Sequence, residues 1–365
     1  MNPFFLILIL FASVVYLLIS DYKKHSGFKK QLILILAVFH FSLTYFFYKF
    51  SLESFKDSYR LFINYDRLSL ELFFNDFKIK TLSKFFMTSI AFVAKKVGFN
   101  YLTLCYYFSF ISFLGFREIL NKISLEKNKN LAGKLIIYFL IFMPSIHFWT
   151  SGFSKEAITF FILILILFTK RLEKKNLIKL IVLLSILFSV RFYIFFIVLY
   201  GILCEFFIKS VKTSIINKKK LFYSLIFLLV LTFLLISEIY LGEFLERLNV
   251  YSIKNGMTSI PINESNYFER MIMLLFRPLF YDSINIRTFL ISFENLFFIV
   301  LIFSFLTKSK KNTKNFIISN TYVLIVIISC VVFYSFYMYN MGLANRMKTM
   351  FMPYLLYLLI LRNEE

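Results

Sequence analysis

Charged residues beside long apolar runs are the features of this sequence that point first to chemistry, because a charge next to hydrocarbon is costly and is usually retained for a use. Four clusters qualify. In the first, Asp57-Ser58-Tyr59-Arg60 with Asp66 and Arg67 sets a carboxylate beside Tyr and Arg. A desolvated carboxylate there would be a strengthened general base toward a hydroxyl. The second runs from Pro144 to Glu156, where an apolar run is expected to end at the proline. It carries the only Trp of the chain, Trp149. Ser154 is placed to cap a following helix with Lys155 and Glu156 in its first turn, an arrangement whose unpaired N–H groups attract an anion. The third is Phe276-Arg277-Pro278-Leu279-Phe280-Tyr281-Asp282, leading to Glu294-Asn295 at the expected start of the next run. A residue before proline is held extended, which fixes the Arg277 guanidinium. The fourth spans Asn340 to Lys348 with Arg346 inside it, closed by Pro353.

Arg191, which interrupts an apolar run, joins Lys155, Arg277, Arg346 and Lys348 as a set of cations suited to a pyrophosphate, since guanidinium groups donate paired hydrogen bonds to phosphate oxygens. Asp57 or Glu156 would then position or deprotonate the acceptor, with Tyr59, Asp282, Glu294 and Asn340 as further candidates. Each cluster also has a plainer reading: a solvated ion pair, a structural helix cap, or a cation snorkelling to the interface.

The elements that must position these residues are helices in a membrane. Of 365 residues 59% are hydrophobic and 17% charged, and mean hydropathy is +0.76. A soluble domain is less apolar and more charged, so a soluble enzyme is excluded. Eleven apolar segments can be laid out, at 3–20, 31–49, 100–119, 133–149, 157–169, 177–190, 192–208, 221–240, 289–306, 316–337 and 350–361. Most approach the length an α-helix needs to cross hydrocarbon. The expected fold is all-α: one polytopic integral membrane bundle over 1–365, with about 11 spans (10–12). The first run lacks a preceding basic residue and a small-residue cleavage site, which reads as a retained span rather than a signal peptide.

Net charge is +22, from 42 Lys and Arg against 20 Asp and Glu. The loops near 21–30, 121–134, 170–179, 209–220 and 308–314 hold 22 of those basic residues against Asp21, Glu126 and Glu173. Such loops face the cytoplasm, which puts the N-terminus outside and the C-terminus inside. The surplus is topological and excludes the nucleic-acid reading that a basic soluble chain would invite. The opposite face holds the mixed-charge loops 50–99 and 241–288, and the amphipathic stretch Leu82 to Val97 reads as an interfacial helix on it.

Other chemistry is not signalled. Cys105, Cys204 and Cys330 lie inside apolar runs and read as core residues. His25, His40 and His147 read as isolated, with His40 a satisfied core histidine. No nucleotide-binding glycine pattern or nucleophile elbow is present, no internal repeat is visible, and no metal or cofactor is expected. The 52 Phe are set aside as compositional bias.

The order of Asp57 and Tyr59, the Pro144 to Glu156 stretch, Arg191, Arg277-Pro278, Glu294-Asn295, then Asn340, Gly342, Arg346 and Pro353 resembles the polytopic membrane proteins of bacterial surface-polysaccharide clusters. Those are similar in layout to O-antigen and capsular polysaccharide polymerases and to the GT-C type of membrane glycosyltransferase. Two motifs depart from the pattern: Lys155-Glu156 stands for Lys-Asp, and a Phe-Arg-Pro-Phe-Pro-Trp-Glu form is reduced to Arg277-Pro278-Leu279-Phe280-Tyr281-Asp282. The resemblance implies glycosyl transfer from a polyprenyl-diphosphate-linked sugar on the outer side of the bacterial inner membrane. Membrane lipid and other polysaccharide-assembly proteins would be partners. The competing expectations are a lipid-linked oligosaccharide flippase and a non-catalytic scaffold.

Overall fold

A computed structural model describes residues 3–24, 27–53, 57–64, 79–122, 138–139, 141–171, 173–212, 266–283, 285–307, 316, 319–337 and 341–364. These are helical nearly throughout, with no strand among them. The chain divides into two compact units, one mainly Met1–Phe168 with Ser185–Phe192, the other mainly Thr169–Leu184 with Tyr193–Asn363.

The first unit contains α1 (Pro3–Lys24), α2 (Gly27–Glu53), α3 (Asp57–Ile63), α4 (Ile79–Val97), α5 (Tyr101–Lys122), α6 (Pro144–Thr150) and α7 (Lys155–Phe168). Its centre is α5, which packs on α1, α2, α6 and α7. The turn into α5 is written in three residues. Gly98 adopts φ 100° after α4, a backbone region open to glycine. Asn100 then caps α5 by accepting the Thr103 N–H at 2.8 Å. At the other end of α5 the Arg117 guanidinium grips the buried Asp21 carboxylate of α1 with two hydrogen bonds. The expected amphipathic stretch forms a helix, α4, with Met87, Ala91 and Ala94 buried and Phe92, Val93 and Val97 exposed.

In the second unit, α8 (Leu177–Val190) contributes its first half, followed by α9 (Phe192–Lys212), α10 (Tyr267–Phe276), α11 (Ile286–Thr307), α12 (Thr321–Tyr337), α13 (Met341–Lys348) and α14 (Met352–Glu364). The Asn266 side chain accepts the Glu269 N–H, and the Glu269 carboxylate accepts the Asn266 N–H, closing a capping box on α10. Tyr267 donates to the Val332 carbonyl and accepts from Ser335, tying α10 to α12. Arg171 pairs with Glu205 at 2.8 Å and lies 3.7 Å over the Tyr322 ring. Glu205, an acid with no evident partner in the sequence, thus has one.

Among the described residues two helices are long and apolar enough to cross a membrane, Phe4–Lys23 and Lys29–Glu53, or three when the bent pair Pro144–Thr150 and Lys155–Phe168 counts as one crossing. Phe192–Ile208, Thr288–Phe303 and Thr321–Phe336 are apolar but shorter. Segment 100–119 forms a full helix, yet it carries Thr103, Ser109, Ser112 and Arg117 and turns them into the protein. Segment 221–240, most of loop 241–288, Asp66, Arg67 and Asn340 lie outside the described residues.

Candidate functional site

The buried charges among the expected site residues gather in one cluster in each unit. In the first unit it forms where α6 gives way to α7. Pro144 starts α6 rather than ending the preceding run, because its fixed φ and missing N–H suit the first helical position. The chain then bends by 111° through Ser151-Gly152-Phe153-Ser154, all buried. A Cβ on Gly152 would lie 2.0 Å from the Phe47 ring, so only glycine allows this approach of α2. Ser154 caps α7 as expected, accepting the Ala157 N–H at 3.3 Å.

The first two residues of α7 are engaged differently. Lys155 Nζ donates to Ser83 Oγ of α4 at 2.7 Å, which ties the start of α7 to that helix. Glu156, 0% exposed, receives a hydrogen bond from the Arg191 guanidinium. Arg191 is the single non-helical residue between α8 and α9, and its N–H still donates to Leu187 O at 2.7 Å. The charge that interrupts the apolar run is therefore the partner of the buried acid at the α6–α7 bend. Asp57 opens α3 and is exposed, so the desolvation that would strengthen it as a base is absent. The Tyr59 ring packs on Tyr101, centroids 5.1 Å apart.

In the second unit α10 ends at Arg277, which is extended at φ −97°, ψ 154°, in agreement with the proline that follows. Its guanidinium takes the Asp282 carboxylate through two N–H groups, one at 2.9 Å. Asp282 also accepts the Leu279 N–H at 2.8 Å. Burial works against the Asp282 charge, but these bonds outweigh it and hold the carboxyl below its usual range. The Asp282 bond likewise raises Arg277.

This turn is stitched to two helices. Asn295 of α11 donates to Pro278 O at 2.8 Å. Lys348, the last residue of α13, donates to Asn295 Oδ1 at 2.7 Å and to Arg277 O at 3.2 Å. Lys348 is 4% exposed, as is Glu294. Burial pushes the Lys348 ammonium down to about 7, against the attraction of the Glu294 charge. Glu294 and Asn295 lie well inside α11, not at its start. The helix begins at Ile286, where Asn285 and Thr288 exchange side-chain-to-backbone bonds. Arg346 is half-buried on the same short helix as Lys348.

Of the expected site residues, Arg277, Asp282, Glu294 and Lys348 thus form one cluster with Asn295, and Lys155, Glu156 and Arg191 gather around the start of α7. Asp57 and Tyr59 stand on a different helix, α3. Among the described residues no group of three His, Cys, Asp or Glu side chains forms a metal site. Sequence reading missed one constellation, since His40 and His147 are not isolated but meet at 2.8 Å. No local spacing could reveal a contact across 107 residues. No protein-family model, curated protein or solved structure matches the chain.

Proposed function

We propose that the chain is a multi-pass membrane enzyme of surface-polysaccharide assembly that transfers a glycosyl group from a polyprenyl-diphosphate-linked donor on the non-cytoplasmic side. The observation that carries this reading is Lys348, a buried cation wired to Asn295 and the Arg277 carbonyl beside Glu294. An ammonium kept in an apolar helical unit is costly, and binding of an anion is a use that repays the cost. Large apolar side chains exposed along α2 (Leu34, Val38, Phe46), α11 (Phe289, Phe293, Val300) and α12 (Ile328, Val332, Phe336) support the multi-pass arrangement. The loop charges support its orientation.

In this mechanism the diphosphate is both handle and leaving group. Arg277 uses one edge for Asp282, which leaves further N–H groups for phosphate oxygens, and Arg346 adds a second guanidinium. An arriving diphosphate draws a proton onto Lys348, because a nearby negative charge favours the ammonium. The charged Lys348 then stabilises the departing diphosphate. In the first unit Glu156, its charge balanced by Arg191, is a separate candidate for engaging an acceptor hydroxyl.

Part-buried ion pairs at the opposite helix ends, Asp21–Arg117 and Arg171–Glu205, favour a second reading as a flippase, which needs charges at both leaflets. Cells lacking the chain distinguish the two. The enzyme predicts lipid-linked glycan accumulating on the outer leaflet, and the flippase predicts accumulation on the cytoplasmic leaflet. Chain-length analysis of surface glycan in R277A and R346A cells tests the site. Glycan of normal length in both, with the proteins present in the membrane, rules out the assignment.

A further inference from the structure

The histidine pair of the first unit has no part in the proposed transfer, yet its hydrogen bonds specify a chemistry. His147 Nε2 faces the Ile141 carbonyl at 2.7 Å. A carbonyl only accepts, so this nitrogen bears hydrogen and the neutral ring presents a bare Nδ1. His40 Nδ1, 2.8 Å away, is then the donor of that contact. The remaining nitrogen, His40 Nε2, lies 3.1 Å from Ser109 O and 2.9 Å from Ser112 Oγ. The Ser112 hydroxyl is also 2.8 Å from Thr150 O, at the last residue of α6.

Two arrangements satisfy these contacts, and they differ by one proton. With the pair neutral, Ser112 donates to His40 Nε2, while Ser109 O faces that bare nitrogen and Thr150 O gives up the hydroxyl. With one proton added, His40 donates from both nitrogens, to His147 Nδ1 and to Ser109 O, and the hydroxyl turns to Thr150 O. The second arrangement makes one bond more. The face of Phe116 lies against His147, centroids 3.8 Å apart and 15° from parallel, a position that favours a shared positive charge.

We propose that His40 and His147 form a proton-binding site that takes up a single proton, held between the two Nδ1 atoms, with Ser112 as the rotor that transmits its occupancy to the end of α6. The proton comes from water and becomes an N–H bond, and no other bond changes. Among the charged and titratable residues on the surrounding elements, Asp21 of α1 binds Arg117 of α5, Glu156 of α7 binds Arg191, and Lys155 binds Ser83. The Tyr101 hydroxyl of α5 lies 2.8 Å from Ser51 Oγ and 3.1 Å from Ser58 Oγ, and Cys105 bonds with Tyr101 and the Phe153 backbone. The rings described around the pair are Phe39, Phe41, Phe113 and Phe116. Its consequence falls on Thr150, next to the bend that leads to Glu156.

The test is nitrogen-15 NMR of the full chain in lipid nanodiscs, labelled at histidine, between pH 4 and 9. The chain has three histidines, so H40N and H147N assign the signals. The expected result is one step in which both rings move together and one proton is bound per pair. S112A leaves His40 Nε2 without a donor in the neutral form but keeps Ser109 O for the protonated form. It also takes the hydroxyl bond to Thr150 O away from the protonated form, so each form loses one bond and the midpoint should stay within about half a pH unit of the wild type, while the carbon-13 signal of a labelled Thr150 carbonyl, which follows the titration in the wild type, should no longer do so. Rings that stay neutral across the range, two independent protonations, or a Thr150 carbonyl signal that follows the titration in S112A as in the wild type would each overturn the proposal. The wild-type titration decides even if a histidine variant does not fold.

Discussion

Lys348 Nζ lies 2.7 Å from Asn295 Oδ1 and 3.2 Å from the Arg277 carbonyl, so one amine joins the end of α13 to α11 and to the extended residue after α10. A neutral amine has two N–H groups, and two acceptors are present. Lys348 is therefore satisfied without a proton and can take one when an anion arrives.

The pH dependence follows. Burial holds Lys348 down to about 7 in the folded protein, against about 10.4 for an unfolded lysine. Between those values the unfolded chain binds the extra proton, so stability rises with pH, by at most roughly 1.4 kcal/mol per unit. Thermal unfolding in detergent should give a higher midpoint at pH 9 than at pH 6, and K348M should lose that difference. Affinity for a diphosphate lipid runs the other way, falling above pH 7 because the lysine must first be charged. A pH-independent midpoint in the wild type would remove the basis of both expectations.

Glu156 and Arg191 should behave as a unit. E156Q leaves a buried guanidinium without its countercharge and should cost about 3–5 kcal/mol, whereas E156L/R191M should recover much of that loss. Detergent melting curves of the single and double variants measure the coupling. If the pair also orients the acceptor, the double variant folds but makes no glycan. A folded, fully active double variant would reduce the pair to a structural role.

Gly152 and Phe47 form a steric lock on the bend between α6 and α7. Because a Cβ at 152 would fall within 2.0 Å of the ring, G152A should destabilise the first unit by several kcal/mol, beyond a typical point variant. G152A/F47A, which removes the ring, should be more stable than G152A alone. Melting temperatures that simply add would show that the two do not meet.

Arg277 and Asp282 test whether planar pairing matters. R277K keeps the charge but cannot hold a carboxylate bidentately, so it should fail to restore glycan synthesis, as R277A does. D282N should lower turnover about 10- to 100-fold by loosening the guanidinium rather than removing it. Full activity of R277K would mean that charge alone is needed.

What the sequence made legible was local. The Ser154 cap, the extended Arg277 before proline and the amphipathic α4 each follow from residues within a few positions of one another. The apolar runs of α1 and α2 also stand out as candidate membrane spans by length and composition. What stayed hidden depends on contacts across the chain. Arg191 with Glu156, Arg171 with Glu205, Arg117 with Asp21 and His40 with His147 are 34 to 107 residues apart. Pro144 was ambiguous for a different reason: proline is found both past the end of a helix and at its first position. Asp57 shows the limit of reading a motif as an environment, since its neighbours Tyr59 and Arg60 carry no information on exposure.

The central claim is that the chain transfers sugar from a diphosphate lipid, and the most direct measurement is turnover by the purified full chain in nanodiscs with a synthetic polyprenyl-diphosphate-linked glycan as donor and acceptor. The account predicts free polyprenyl diphosphate together with a longer lipid-linked glycan, both abolished by R277A and reduced by K348M. Donor that binds and dissociates unchanged from well-folded protein, with no elongated product, would contradict it.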